Sequence, residues 1–336
     1  MKVRSRIAVA ALALSFAMPV AAQQAPAGEK SVTVTAIPGV IAAGAKWQRV
    51  LSVPMNVDGM TTAPDGAVLF AQEQSNAIWK LWPDGKTWVA WPYVQGGGAV
   101  SVDAAGRVFA LERTCTDPGW KGTTDCSVAT RVTQLAPTRK VLADKFSDGK
   151  PLGRLNDVQA DGHGGVWYTQ GGIYHVAADG TVSTVAEGNG MFTNGVVLSP
   201  DGKTLYVTNK KVIVAFDVGA DGSTSNQRDF ATLANEDKGF GGDGMAVDST
   251  GRLYVTGDAG IHVLDPSGKE LGVIPAPRRT ITLTFAGPGK RTLFAGAMGA
   301  VDPEGKEWST PQGVRNDAMT VYKVPMLAMG PKDRPK

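Results

Sequence analysis

Apolar residues in this chain fall into short runs separated by small polar turns, and the unit recurs along its length. Pro64-Asp65-Gly66 leads into Val68-Leu69-Phe70-Ala71, Pro200-Asp201-Gly202 into Thr204-Leu205-Tyr206-Val207, and Ser249-Thr250-Gly251 into Leu253-Tyr254-Val255. A turn tripeptide followed by a β-branched or aromatic run predicts a hairpin entering a strand. A second hairpin follows in most units, as at Ile78-Trp79-Lys80-Leu81-Trp82-Pro83-Asp84-Gly85 and Ile261-His262-Val263-Leu264-Asp265-Pro266-Ser267-Gly268. Four short strands per unit make a propeller blade. The turn glycines Gly66, Gly106, Gly164, Gly202, Gly251 and Gly289 mark six units at a spacing close to the blade period.

The predicted fold is therefore all-β: a six-bladed β-propeller of four-stranded antiparallel blades around a central channel. No stretch sustains a helical period, which disfavours a doubly wound α/β fold. The sixth unit offers only three strands, at 280–286, 292–297 and 319–324, so the segment 47–53 is expected to supply the fourth and cover an open sheet edge. One propeller domain is expected over 46–325, after a leader (1–22) and an extension (23–45). A loosely ordered tail is expected over 326–336.

The leader changes the charge argument. Lys2, Arg4 and Arg6 precede an apolar run that ends near Val20-Ala21-Ala22, the pattern of a secretory signal cut after about Ala22. The run is too short to span a bilayer, and no later segment reaches about 18 uninterrupted apolar residues, so a periplasmic or secreted, membrane-free protein is expected. Three of the 34 basic residues lie in the leader, which leaves 31 against 31 acidic ones. A neutral body without a basic block has no electrostatic footprint for nucleic acid, and a small-molecule partner is expected. Nothing in the architecture requires an oligomer.

Export would carry the only two cysteines, Cys115 and Cys126, into an oxidising compartment where a disulfide persists, and they are expected to be bridged. Closing that loop contributes about 3 kcal/mol in the chain-entropy picture. Two free thiols are the alternative, while the scattered His163, His175 and His262 show no zinc-ligand spacing.

A polar residue sits eight positions before four of the six turn glycines: Asp58, Asn156, Asn194 and Asp243. In a propeller the turn glycine lies on one face and the residues preceding the innermost strand crowd the channel mouth on the other. Two carboxylates and two carboxamides converging there form an oxygen-only site suited to calcium or another hard divalent cation. A glycine after the ligand allows close approach of the backbone. Asp-Gly and Asn-Gly are also ordinary turn dipeptides in a chain with 42 glycines. Four of these polar positions at one phase, none at the hairpin turn, favour the metal.

The stretches Arg154-Leu155-Asn156-Asp157, Asn194-Gly195-Val196-Val197-Leu198-Ser199-Pro200-Asp201-Gly202 and Asp243-Gly244-Met245-Ala246-Val247-Asp248 resemble segments of the SMP-30/gluconolactonase family, also called regucalcin-like. The resemblance implies a six-bladed propeller holding one divalent metal, commonly calcium, with zinc, magnesium or manganese as other occupants. It also implies hydrolysis of sugar lactones. It places the metal ligands at Asp58, Asn194 and Asp243, with Asp58 departing from the family's usual Glu. It also places substrate contacts at Arg154 and Asn156 and aligns Glu112 with a family Glu. A rim ion-pair role for Arg154 and a solvated loop position for Glu112 are the alternatives.

The expected chemistry is metal-assisted hydrolysis of a lactone such as gluconolactone, the cation polarising the carbonyl and activating water with Asp243 as general base. No Gly-x-Ser-x-Gly nucleophile motif is present. A non-catalytic calcium- or small-ligand-binding propeller, or an esterase, phosphotriesterase or lyase on the same scaffold, are the competing readings. The 114–128 and 298–318 loops are expected on the mouth face as walls or a lid, or as surface decoration.

Overall fold

The computed structural model describes residues 27–113, 129–236, 241–308 and 318–332. Six four-stranded antiparallel sheets follow one another around a channel. The first strand, β1 (Gln48–Val53), belongs to the last sheet. Blade one is β2 (Asp58–Thr62), β3 (Val68–Gln72), β4 (Ala77–Leu81) and β5 (Thr87–Pro92), and blade two is β6 (Gly97–Val102), β7 (Val108–Glu112), β8 (Arg131–Ala136) and β9 (Lys140–Ala143). Blade three comprises β10 (Val158–Ala160), β11 (Val166–Gln170), β12 (Gly172–Val176) and β13 (Val182–Ala186). Blade four comprises β14 (Thr193–Leu198), β15 (Thr204–Asn209), β16 (Val212–Val218) and β17 (Thr224–Thr232). Blade five is β18 (Met245–Val247), β19 (Leu253–Thr256), β20 (Ile261–Leu264) and β21 (Glu270–Ile274), and blade six runs β22 (Thr280–Ala286), β23 (Thr292–Met298), β24 (Met319–Pro325) and finally β1.

The sixth sheet closes as the strand count required: β1 pairs antiparallel with β24, from Gln48 opposite Lys323 to Val53 opposite Met319. Among the described residues the sole helical turn is Pro288–Lys290, and no helix is long and apolar enough to cross a membrane.

Inner strands read as continuous apolar runs because both faces are covered. Every residue of β3 and β6 is buried, whereas the outer strand β13 exposes the consecutive Ser183 and Thr184. The core lies between neighbouring blades. Leu69, Ala71 and Ile78 of blade one pack with Val100, Val102 and Ala110 of blade two. Trp167 of blade three, wholly buried, packs against Val196, Leu198 and Val207 of blade four. The turn glycines take up the role their phase implied: Gly66 adopts φ +82° and donates its N–H to Ala63 O at 2.9 Å, and Gly251 (φ +85°) does the same to Asp248 O at 3.0 Å.

The termini brace one another. Val34, Ile37, Val40 and Ile41 of the extension are buried in the core shared by blades five and six, together with Met326 and Ala328. Leu327 N and Ala328 N both donate to Val40 O, and Ser249 N donates to Met329 O. The tail expected to be loosely ordered is thus pinned through Met329. The sequence underrated it because its anchors are two isolated apolar side chains and backbone bonds to distant segments.

Candidate metal and substrate site

The channel mouth is built from residues that precede or open the inner strands: Asp58, Gly98, Asn156, Asn194, Asp243 and Ile281. The glycines beside them answer to the neighbouring blade. A Cβ on Gly59 would lie 2.3 Å from Ala99 Cα, one on Gly195 2.3 Å from Asp243 O, and one on Gly244 2.6 Å from Ile281 O. The sequence reading assigned these glycines to backbone approach toward a ligand. The structure shows that they are the bearing surfaces between adjacent inner strands. Where blade three carries Asp157 in place of glycine, its carboxylate accepts Val158 N at 2.8 Å and Val196 N of blade four at 3.0 Å.

A belt of polar contacts runs once around this mouth. From blade two, Arg113 reaches Asp58 Oδ2 at 3.5 Å and Glu73 Oε2 at 3.3 Å in blade one, and donates to Leu155 O (2.7 Å) and Asn156 O (2.8 Å) in blade three. Thr169 donates its hydroxyl to Asn194 O, and Thr208 donates to Asp243 O at 3.1 Å. Gly244 N donates to Ile281 O at 2.8 Å, and Met60 N to Thr282 Oγ1 at 2.9 Å returns the belt to blade one. Each predicted ligand is thereby fixed through a neighbour rather than through its own strand alone.

The electrostatics are those of carboxylates gathered away from bulk water. Burial pushes the Asp243 carboxyl well above its usual range, and the nearby charges of Asp58 and Asp157 push it further, against the opposing pull of Arg279 and Arg113. Burial also raises Asp58, although Arg113 and the Gly59 N–H favour its ionised form. A divalent cation would relieve this crowding. The donors present, two Asp carboxylates and two Asn carboxamides, are all hard oxygens and fit calcium chemistry. His175 instead pairs with Asp161 at 2.9 Å, and the wholly buried His262 lies between Glu236 (3.1 Å) and Glu270 (2.7 Å), so neither offers a nitrogen to the mouth.

The predicted substrate residues separate. Arg154 stands at the rim with 48% of its side chain exposed, tied to Glu73 Oε2 at 3.0 Å, so it has both the ion-pair role and access to a ligand. Asn156 lies within the belt, donating to Asn194 Oδ1. Glu112 is 1% exposed, and its carboxylate faces outward across the blade to Arg131 (3.0 Å), Arg139 (2.9 Å) and Thr133 (2.7 Å). Cys115 and Cys126 lie outside the described residues, as does the whole of the 114–128 loop. Of the second long loop, Val301 folds back onto β1 through Ser52. Sequence reasoning missed Arg113, Glu73 and the threonines. The threonines had a signal, since Thr169, Thr208 and Thr256 recur near the end of the second strand in three successive blades.

A family model described as SMP-30/Gluconolactonase/LRE-like region matches residues 58–298, well over half of the chain. The chain belongs to this family. The SMP-30/gluconolactonase match opens on Asp58 itself and ends at the last residue of β23, so it contains the whole mouth. The gluconolactonase of Zymomonas mobilis is 25% identical over 261 residues, covering 70% of this chain and 64% of that protein. This chain therefore spans less than two thirds of that relative. A solved gluconolactonase from Xanthomonas campestris superposes with a TM-score of 0.66 at 20% identity, covering 90% of this chain and 97% of that one. Regucalcin from Agrobacterium tumefaciens, a calcium-binding protein, gives 0.59 at 17% identity, covering 84% and 95%. These two likenesses concern the fold.

Proposed function

We propose that this protein is a lactone hydrolase acting on a small, oxygen-rich lactone such as a sugar lactone, with one divalent cation, calcium by preference, held by Asp58, Asn194 and Asp243. The observation that carries the reading is the gathering of Asp58, Asp157 and Asp243 at one buried mouth, where burial first and the neighbouring carboxylates second hold the Asp243 carboxyl well above its ordinary range. Membership of the family and the named activity of the Zymomonas relative favour lactone hydrolysis over other ester chemistry on this scaffold.

When bound, the cation supplies Lewis-acid polarisation of the lactone carbonyl and acidifies nearby water. The chain's own groups do the rest. Arg154 at the rim and the Asn156 amide orient the substrate's oxygens. The carboxylate of Asp243 takes a proton from the water whose oxygen adds to the carbonyl carbon. The ring C–O bond then breaks, and the proton returns to the departing ring oxygen, leaving an open-chain hydroxy acid. Asp58 is a methylene shorter than the family's usual Glu, so the ligand from blade one reaches less far into the channel.

The test is acid release from glucono-δ-lactone and a panel of other lactones by chelator-stripped protein after restoring calcium, magnesium, manganese or zinc. Turnover restored by one of these ions is expected. No turnover with any of them overturns the enzyme reading.

A further inference from the structure

Blades one, three, four and five bring an oxygen side chain to the mouth, but blade two brings Gly98. The space above that glycine belongs to Arg113, since a Cβ there would lie 2.1 Å from Arg113 Nε and 2.6 Å from its central guanidinium carbon. Arg113 is 5% exposed, and its guanidinium donates to or faces Leu155 O, Asn156 O, Asn156 Oδ1 (3.2 Å), Glu73 Oε2 and Asp58 Oδ2. It is a buried cation inserted where the repeat would have put a ligand.

A guanidinium has donors and no acceptor. The side-chain atom that Asn156 turns toward Arg113 must therefore be oxygen, which forces Asn156 Nδ2 to the opposite side. There it meets Asn194 at 2.5 Å, and the Asn194 atom that receives it must in turn be Oδ1. The flip of each amide is otherwise a free choice between two nearly isosteric states. Here both are set by one arginine. An oxygen has two lone pairs, so Asn194 Oδ1 can accept from Asn156 and still present its second lone pair to a cation.

We propose that Arg113 is a positioning residue whose function is to lock the amide orientation of Asn156 and, through it, to aim the Asn194 oxygen into the metal site. This rests on the metal reading above. It accounts for three features together: the glycine at position 98, the saturation of Arg113 by oxygen acceptors, and the lack of an oxygen side chain from blade two among the described mouth residues. It also explains why a fixed positive charge is tolerated beside a cation site. Its charge is paired with the buried Glu73 carboxylate, and what it contributes is direction.

The test is calorimetric titration of chelator-stripped protein with calcium ion, for wild type, Arg113→Lys, Asn156→Ala and the double variant, each checked for fold by circular dichroism and thermal melting. Lysine keeps the charge and loses the fork. Outer residues that orient a ligand typically contribute about 10- to 100-fold to metal affinity, so Arg113→Lys is expected to weaken calcium binding by about tenfold or more. Asn156→Ala should do the same, and the double variant should be no worse than the poorer single one, the signature of residues acting in series. Losses that multiply, or Arg113→Lys binding within about twofold of wild type, overturn the proposal. If Arg113→Lys does not fold, Asn156→Asp decides. It keeps an acceptor for Arg113 and lacks the Nδ2 donor, so it should bind calcium as weakly as Asn156→Ala despite its added negative charge. Tighter binding by Asn156→Asp overturns the relay. Wild-type protein that binds none of calcium, magnesium, manganese or zinc overturns the metal reading itself, whereas wild-type binding with multiplicative losses overturns only the relay.

Discussion

Replacing Gly195 by alanine adds one methyl group and tests whether the ring of close contacts positions the site. Gly195 does not lie in the left-handed region, so alanine is compatible with its backbone, and the effect reduces to the new Cβ. That carbon would stand 2.3 Å from Asp243 O and 3.0 Å from Gly244 Cα. Comfortable contact needs more than about 3 Å, so the opening of β18 must retreat from β14 by about 1 Å. Strain of this kind costs about 1–3 kcal/mol of stability. A displacement of about 1 Å at reacting groups costs far more in rate, on the order of 100-fold. Asp243 sits on the displaced segment, so function should fall much further than stability. Urea unfolding, calcium calorimetry and lactone turnover would be measured together, with Gly106→Ala as control. Gly106 has φ +79° and nothing within 4 Å of an added methyl group. Its alanine variant should therefore lose about 1 kcal/mol from backbone strain and keep its calcium affinity. A Gly195→Ala protein with normal calcium affinity, or a control that loses affinity equally, would refute the claim that inter-blade contact sets the geometry.

Two further outcomes follow from the same structure. Glu112→Gln should lower the thermal midpoint, because it weakens the partnership of one buried carboxylate with Arg131 and Arg139, while leaving calcium affinity unchanged. A raised KM at unaltered midpoint would instead make Glu112 a substrate contact. The raised carboxyls give a pH dependence with opposite signs in the two states. In metal-free protein, Asp243 and Asp58 favour their protonated forms on folding, so the stability they contribute is present below the unfolded carboxylate range and is lost as pH rises through the folded values. Calcium binds the ionised pair, so the gain in thermal midpoint on adding calcium should shrink as pH falls through those raised values. Melts across pH in chelator and in calcium decide this, and a calcium gain that stays constant below the ordinary carboxylate range would refute it.

The blades were legible because their signal is repeated and local: Pro-Asp-Gly and its variants fix a turn, and a β-branched run must follow. The phase of Asp58, Asn156, Asn194 and Asp243 was legible for the same reason, since a repeat converts sequence position into height along the channel. Arg113 was not, because its neighbours in sequence carry no repeat signal and it acts across two blade boundaries, on Asp58 and on Asn156. Glu112 shows the opposite failure. Its position at the end of β7 is on the mouth side, yet the alternation of the strand turns its carboxylate toward β8. Which way a side chain faces at a strand end depends on one residue of register, and Arg131 and Arg139 gave no sequence sign that they would claim it. The tail was misjudged because two buried methyl-bearing residues, Met326 and Ala328, leave no periodic trace.

The sheet formed by β1 and β24 has a consequence for how the molecule comes into being. Its partners are separated by nearly the whole chain, with Gln48 opposite Lys323, so the sixth blade cannot be completed until the last strand has been delivered. Pairing of such high sequence separation carries its closure entropy before any contact offsets it, which places this step late in folding and makes it slow. Until then β24 presents an unpaired edge, and the core that receives Val34, Ile37, Val40 and Ile41 lacks the contributions of Val324, Met326 and Ala328. A newly emerging chain therefore keeps its two ends unjoined until its synthesis has delivered β24. The closed sixth sheet therefore depends on residues from both ends of the chain meeting in one pairing.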